Sequence, residues 1–182
     1  SNAQLYQAYR RGEWTHPDDL IPYLEGFLAG PQGVGPAGPR LILSGVLPNP
    51  PEILALLDEL GAVAAADDLI IGSRRSLFTS SAAADPLDAL TEQYFSLPPC
   101  STRDSALADR LEWLKNLAHQ SKAQGVIFYL VKFCEPELFD LPILGEELKK
   151  LGLPTLTIDC EINQGLSGQI ATRVEAFVEM LG

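Results

Sequence analysis

Basic residues are scarce in this chain: 13 Lys and Arg stand against 24 Asp and Glu, giving a formal net charge of −11 over 182 residues. Without a basic stripe the composition argues against nucleic-acid binding. An anionic ligand would need local help from helix N-termini or single Arg and Lys residues. No apolar run reaches about 18 residues and no signal peptide is visible, so no membrane-spanning segment is expected. Only two His occur, His16 and His119, and both read as surface residues, which leaves a Cys–His catalytic pair without support. The three Cys (Cys100, Cys134, Cys160) are an odd number, widely spaced and without a CxxC. That excludes a disulfide framework and the close ligand pairs of a self-contained zinc site, and it fits reduced thiols in a cytoplasmic protein. GxGxxG is also missing; Gly33-Val34-Gly35 precedes a strand instead of following one and reads as linker.

What is present is an alternation of strands and helices. Ser1-Asn2-Ala3 resembles the scar of a cleaved expression tag and is set aside (residues 1–3). The remainder starts at Gln4 without an initiator Met, from which an excised fragment of a longer protein is expected. Residues 4–14 read as the tail of a helix. Thr15, with Asp18 three residues on, reads as the cap of the next, whose apolar stripe is Leu20, Leu24, Phe27 and Leu28 and which Gly30 ends. The Gly- and Pro-rich stretch up to Pro39 closes this N-terminal segment (4–39) as a linker.

From residue 40 to 182 an α/β domain is expected. Its strands are Leu41–Gly45, Ala62–Ala66 ending in Asp67-Asp68, Val126–Val131, and Pro154–Ile158. Helices are expected over 50–60, from Asp85-Pro86 with the stripe Leu87, Leu90 and Tyr94, over 104–124, over 139–151, and from Ser167 to Leu181. Gly72–Ser81 reads as polar loop. Such alternation implies a parallel sheet with right-handed crossovers, a Rossmann-like or flavodoxin-like fold of four strands with helices on both faces, in the order 2-1-3-4.

In such folds ligands bind beyond the carboxyl ends of the strands. Ser44, Asp67, Cys134 and Asp159 are all expected on that edge. The tripeptide Lys132-Phe133-Cys134 is the most informative feature, because it follows the run Gly125–Val131, which reads as a strand buried on both faces. Glu135-Pro136 then reads as a turn. A thiol at that place can be a cluster ligand, a nucleophile or packing filler, and Lys132 beside it would favour the thiolate. Ser44-Gly45 is either a close backbone approach to a ligand or a tight turn. Arg74 and Arg75 offer guanidinium forks to a phosphate or carboxylate, or form a solvated turn. Ser44, Gly45, Arg74 and Lys132 are therefore the candidate substrate-binding residues, and no catalytic residue is assigned. Cys100 reads as a loop thiol, Cys160 as structural, and Asp67, Asp68 and Glu161 as a solvated strand-end loop in preference to a metal site.

Several ordered pieces resemble one family: Leu43-Ser44-Gly45, Ala66–Leu69 with Gly72-Ser73-Arg74, Asp85-Pro86-Leu87, Pro99-Cys100, Gly125–Ile127 leading to Lys132–Pro136, Gly152-Leu153-Pro154, and Gly168–Phe177. From Arg40 to Leu181 the chain looks like the C-terminal half of the 2-hydroxyacyl-CoA (2-hydroxyglutaryl-CoA) dehydratase D-component and benzoyl-CoA reductase subunit family. The resemblance implies a [4Fe–4S] cluster held by two Cys of an N-terminal half and by the Cys that Cys134 matches. It implies that an open iron site binds the thioester carbonyl of an acyl-CoA, that a separate ATP-hydrolysing iron–sulfur activator injects one electron, and that the radical anion expels hydroxide from the 2-position. A second homologous subunit is implied as well. Without the other ligands, this piece is expected to hold no cluster and to be inactive alone. Two alternatives stay open: a non-catalytic ligand-binding or assembly domain of the same fold, and an ATP-driven reductase of an unknown small substrate.

Overall fold

The computed structural model describes residues 1–30, 37–77 and 79–182. Its helices are α1 (Asn2–Arg11), α2 (Pro17–Ala29), α3 (Glu52–Glu59), α4 (Pro86–Ser96), α5 (Leu107–Ser121), α6 (Glu135–Lys150) and α7 (Gly168–Leu181). Its strands are β1 (Arg40–Gly45), β2 (Val63–Leu69), β3 (Gly125–Val131) and β4 (Thr155–Cys160). All neighbouring strands run parallel, in the order β2-β1-β3-β4. The expected order and fold class both hold.

Strand residues alternate between two apolar layers, as the period of two requires. Leu41, Leu43, Ile127, Tyr129 and Ile158 face α1, α3 and α7 through Tyr6, Ile53, Leu57, Val174 and Phe177. Ile42, Val126, Phe128 and Leu130 face α5 and α6 through Leu114, Leu141, Leu144 and Leu148. Each fully buried side chain of this size contributes about 1.5–3 kcal/mol. Both faces of β1 and β3 are therefore covered, which is why the two strands read as unbroken apolar runs. Gly61 (φ +70°) and Gly152 (φ +77°) end α3 and α6 in the left-handed conformation that glycine adopts without a Cβ penalty.

Residues 1–3 take part in the fold: the Ser1 hydroxyl caps α1, and Asn2 donates to Ala62 O (2.9 Å) and accepts from Ala64 N (2.9 Å). The structure corrects several local expectations. His16, not Thr15, caps α2, because Pro17 occupies the first helical position, which needs no N–H. Asp67 and Asp68 lie inside β2 and are buried, not in a solvated loop. Glu135-Pro136 opens α6 instead of turning away, since proline is tolerated in a first turn. The Gly72–Ser81 stretch contains a short 3-10 turn, Ser73–Ser76. α5 starts at Leu107 because Asp104 adopts a left-handed conformation (φ 55°). Leu87, Leu90 and Tyr94 of α4 point to solvent, Leu87 being 71% exposed. The linker reading of Gly33-Val34-Gly35 lies outside the described residues. Among those described, no helix is long and apolar enough to cross a membrane.

Candidate functional site

The strand order reverses between β1 and β3, and such a switch point opens a crevice at the carboxyl edge of a sheet. β1 closes on Ser44-Gly45, opposite Phe128 and Tyr129 of β3. Gly45 has φ +133°, and a Cβ there would be driven into the Tyr129 carbonyl oxygen. The glycine is thus required by close approach of the two strands.

β3 leads into Lys132-Phe133-Cys134. Lys132 N–H extends the ladder to Cys160 O (2.9 Å), and Cys134 N–H returns to Val131 O (3.0 Å). Between them Phe133 takes a left-handed φ of 69° and is 95% exposed. This tight turn delivers Cys134 to the N-cap of α6, where its thiol is half-buried against the α5–α6 core. The Lys132 ammonium pairs with Glu161, and this hydrogen bond raises its pKa. Lys132 is therefore already engaged by a carboxylate. Asn49 Nδ2 donates to Glu161 O (2.9 Å), tying the loop after β1 to the end of β4.

The end of β2 is built differently. Asp68 accepts from Ser44 Oγ (2.9 Å), Trp113 Nε1 (2.7 Å) and Arg74 Nη2 (2.5 Å). Arg74 also donates to the carbonyls of Pro98 (2.9 Å) and Pro99 (2.5 Å). Burial pushes the Asp68 carboxyl up, while Arg74, Ser44 and Trp113 pull it down. Asp67 accepts from Ser73 N (2.9 Å) and Ser73 Oγ (3.0 Å). The Ser44 and Arg74 side chains, candidates for substrate binding in the sequence, are thus engaged in internal hydrogen bonds.

A second buried ion pair joins α5 to α6. Arg110 Nη2 donates to both Glu137 oxygens (3.2 and 3.3 Å), Nη1 pairs with Asp140, and Ser101 Oγ donates to Glu137. Glu137 sits in the first turn of α6, three residues beyond Cys134, so the pair fixes the helix start that carries the thiol. Sequence reading missed Arg110, Glu137 and Trp113. The available signal was Arg110 within the inward spacing Leu107–Leu111–Leu114.

Ser44, Asp67, Cys134 and Asp159 do lie along one edge, because parallel strands end together. The three thiols do not gather. Cys100 is buried with Sγ 3.1 Å from Thr102 Oγ1, and Cys160 is buried with Sγ donating to Leu130 O (3.4 Å). Burial also pushes the Cys160 thiol up. Among the described residues no three His, Cys, Asp or Glu side chains are grouped to hold a metal ion. A complete iron–sulfur cluster does not fit the described residues alone.

The family model described as 2-hydroxyglutaryl-CoA dehydratase, D-component, matches residues 4–181. The chain belongs to this family. The match is longer than the motif-bearing span from Arg40, taking in α1 and α2. Among curated relatives of this D-component chain, the (R)-phenyllactyl-CoA dehydratase beta subunit of Clostridium sporogenes is 31% identical over 144 residues, covering 79% of this chain and 38% of the relative. The lactoyl-CoA dehydratase subunit beta of Anaerotignum propionicum is 28% identical, covering 79% of this chain and 39% of the relative. A benzoyl-CoA reductase subunit of Thauera aromatica is 23% identical, covering 78% of this chain and 38% of the relative. The chain thus spans about two fifths of the length of these relatives.

Proposed function

We propose that this chain contributes one cluster-ligating thiol, Cys134, to a subunit of a radical 2-hydroxyacyl-CoA dehydratase or a benzoyl-CoA reductase-type enzyme. The carrying observation is the half-buried Cys134 in the turn between β3 and α6 of a D-component chain. Two further thiols come from protein outside these 182 residues. A [4Fe–4S] cluster, when bound, supplies an open iron site and one-electron chemistry.

The residues of this chain position and shield. Gly45 lets β1 close against the Tyr129 carbonyl, which fixes the β1–β3 edge beside which an acyl thioester would lie. The Arg110–Glu137 pair holds the first turn of α6, and with it Cys134, in a fixed place. Lys132 and Glu161 form a mutually neutralised pair across the ends of β3 and β4, and the exposed Phe133 ring supplies an apolar wall that excludes water once further protein covers it. A second homologous subunit and an ATP-dependent iron–sulfur activator complete the enzyme, which works on acyl-CoA in the cytoplasm; its three free cysteines suit a reducing compartment.

The test is anaerobic turnover by the protein extended to the length of its relatives, with its partner subunit and activator. A panel of 2-hydroxyacyl-CoA and aroyl-CoA thioesters is offered with and without ATP. Turnover of one class, dependent on ATP, is expected. An iron-loaded assembly that turns over neither class would contradict the proposal.

A further inference from the structure

Three arginines line one cleft of this acidic chain. The cleft, about 690 Å³, lies beyond the carboxyl end of β2, between α4 and the turns Ser73–Ser76 and Ser101–Arg103. Its volume falls in the range of small-molecule sites, about 300–1,000 Å³. Polar groups come from Arg74, Arg75, Gln93, Thr102 and Arg103, and none of the described lining residues is Asp or Glu, although the chain has 24 of them. Cationic groups set in low-dielectric walls focus a positive potential.

The arginines differ in what they have left to give. Arg74 is committed to Asp68. Arg75 is exposed and meets Glu13 at 3.1 Å, a surface pair of the kind readily exchanged for a stronger anion. Arg103 donates to the carbonyls of Tyr94 (2.7 Å), Leu97 (2.9 Å) and Pro98 (2.8 Å) and has no carboxylate partner among the described residues. Among the described residues its charge is met by carbonyl oxygens and an aromatic ring, not by a carboxylate. Much of the remaining lining is apolar: Leu90 and Leu97 line the cleft together with the Tyr94 ring, over which the Arg103 guanidinium carbon sits 5.2 Å from the centroid. Inorganic phosphate alone would leave that lining wet. A planar base carrying phosphate would use both parts of the lining.

We propose that this cleft binds an adenosine phosphate, the nucleotide end of coenzyme A. The assignment to coenzyme A rests on the acyl-CoA reading above. The turn that carries Arg103 also carries Ser101, whose hydroxyl meets Glu137 in the first turn of α6. One brace thus joins the cleft wall to the helix that begins at Cys134, and a flexible thioester arm would bridge them.

The test is an NMR titration of this 182-residue chain with coenzyme A, 3′,5′-ADP, ATP, pantetheine and inorganic phosphate at up to millimolar concentration. Coenzyme A and 3′,5′-ADP should shift the amides of Tyr94, Thr102 and Arg103 with similar affinity, and pantetheine should not. Arg103→Gln and Arg75→Gln should each weaken binding about tenfold, the loss of one charge-assisted contact. Arg75→Gln carries the test if the carbonyl-bracing Arg103 proves necessary for folding. Overturning results are the absence of saturable binding, shifts confined to another face, affinity unchanged in Arg75→Gln and Arg103→Gln, or phosphate binding as tightly as 3′,5′-ADP. ATP binding more tightly than coenzyme A would overturn the coenzyme A assignment. Loss of nucleotide binding with Cys134-dependent iron intact sinks the cleft alone, and the converse result sinks the cluster reading alone.

Discussion

The ends of β2 and β3 look equally chemical in sequence, one offering Asp67-Asp68 and the other Lys132-Phe133-Cys134, yet they are built to opposite purposes. At β2 every polar side chain is turned inward. Asp68 takes hydrogen bonds from Ser44, Trp113 and Arg74, and Arg74 then clamps the Pro98-Pro99 carbonyls. At β3 the turn throws Phe133 into solvent and leaves the thiol half-buried at a helix start. A strand end whose polar groups are all paired holds the fold. A strand end that leaves a thiol accessible and an aromatic ring uncovered invites something from outside.

Substitutions should separate the two ends sharply. Arg74→Ala leaves the Asp68 charge buried without its partner, and breaking such a pair costs about 3–5 kcal/mol. Urea unfolding should show that loss; a change under about 1 kcal/mol would mean that the β2 network is not structural. Gly45→Ala forces a side chain into a left-handed position against the Tyr129 carbonyl, at a cost of about 2 kcal/mol or more. Tyr129→Phe should stabilise by about 1 kcal/mol, since its buried hydroxyl finds no partner among the described residues. Cys134→Ala should shift stability by less than about 1 kcal/mol, because a half-buried thiol packs modestly.

Thiol labelling sharpens the same contrast without mutation. In the native chain at pH 8, iodoacetamide should modify Cys134 well before buried Cys100 and Cys160. The Cys160 thiol is lifted by burial above its ordinary value of 9.0, so the folded state favours its protonated form. Its contribution to stability is complete below that ordinary value and is lost as pH rises through the raised one. Unfolding in urea should make all three thiols react alike. Equal rates in the native chain would contradict the burial difference.

Much of the scaffold was legible because both faces of β1 and β3 are covered. The runs Leu41–Leu43 and Val126–Val131 then have few competing readings, and Gly61 and Gly152 mark helix ends by backbone chemistry. Of the candidate site only single positions were legible: Gly45 and Cys134 fall at strand ends, as the apolar runs before them implied. The Arg110–Glu137 pair escaped because its partners lie 27 residues apart and meet only after α5 and α6 pack. Asp67-Asp68 misled for the same reason: charge predicts solvent unless the sequence reveals the partner. The α4 stripe shows the other limit. Period predicts an apolar face for Leu87, Leu90 and Tyr94, as it does for Val174 and Phe177 of α7, but not which surface will cover it; in this chain α7 finds the sheet and α4 does not.

The most direct test of the contrast between the two strand ends is iron content. The protein, extended to the length of its relatives and purified anaerobically, is compared with its Cys134→Ala, Cys100→Ala and Cys160→Ala variants by iron analysis and electron paramagnetic resonance. Loss of the cluster in Cys134→Ala, with iron retained in the other two and all variants folded, is the predicted result. A full iron complement and unchanged cluster spectrum in Cys134→Ala would contradict the assignment of β3 as the functional end.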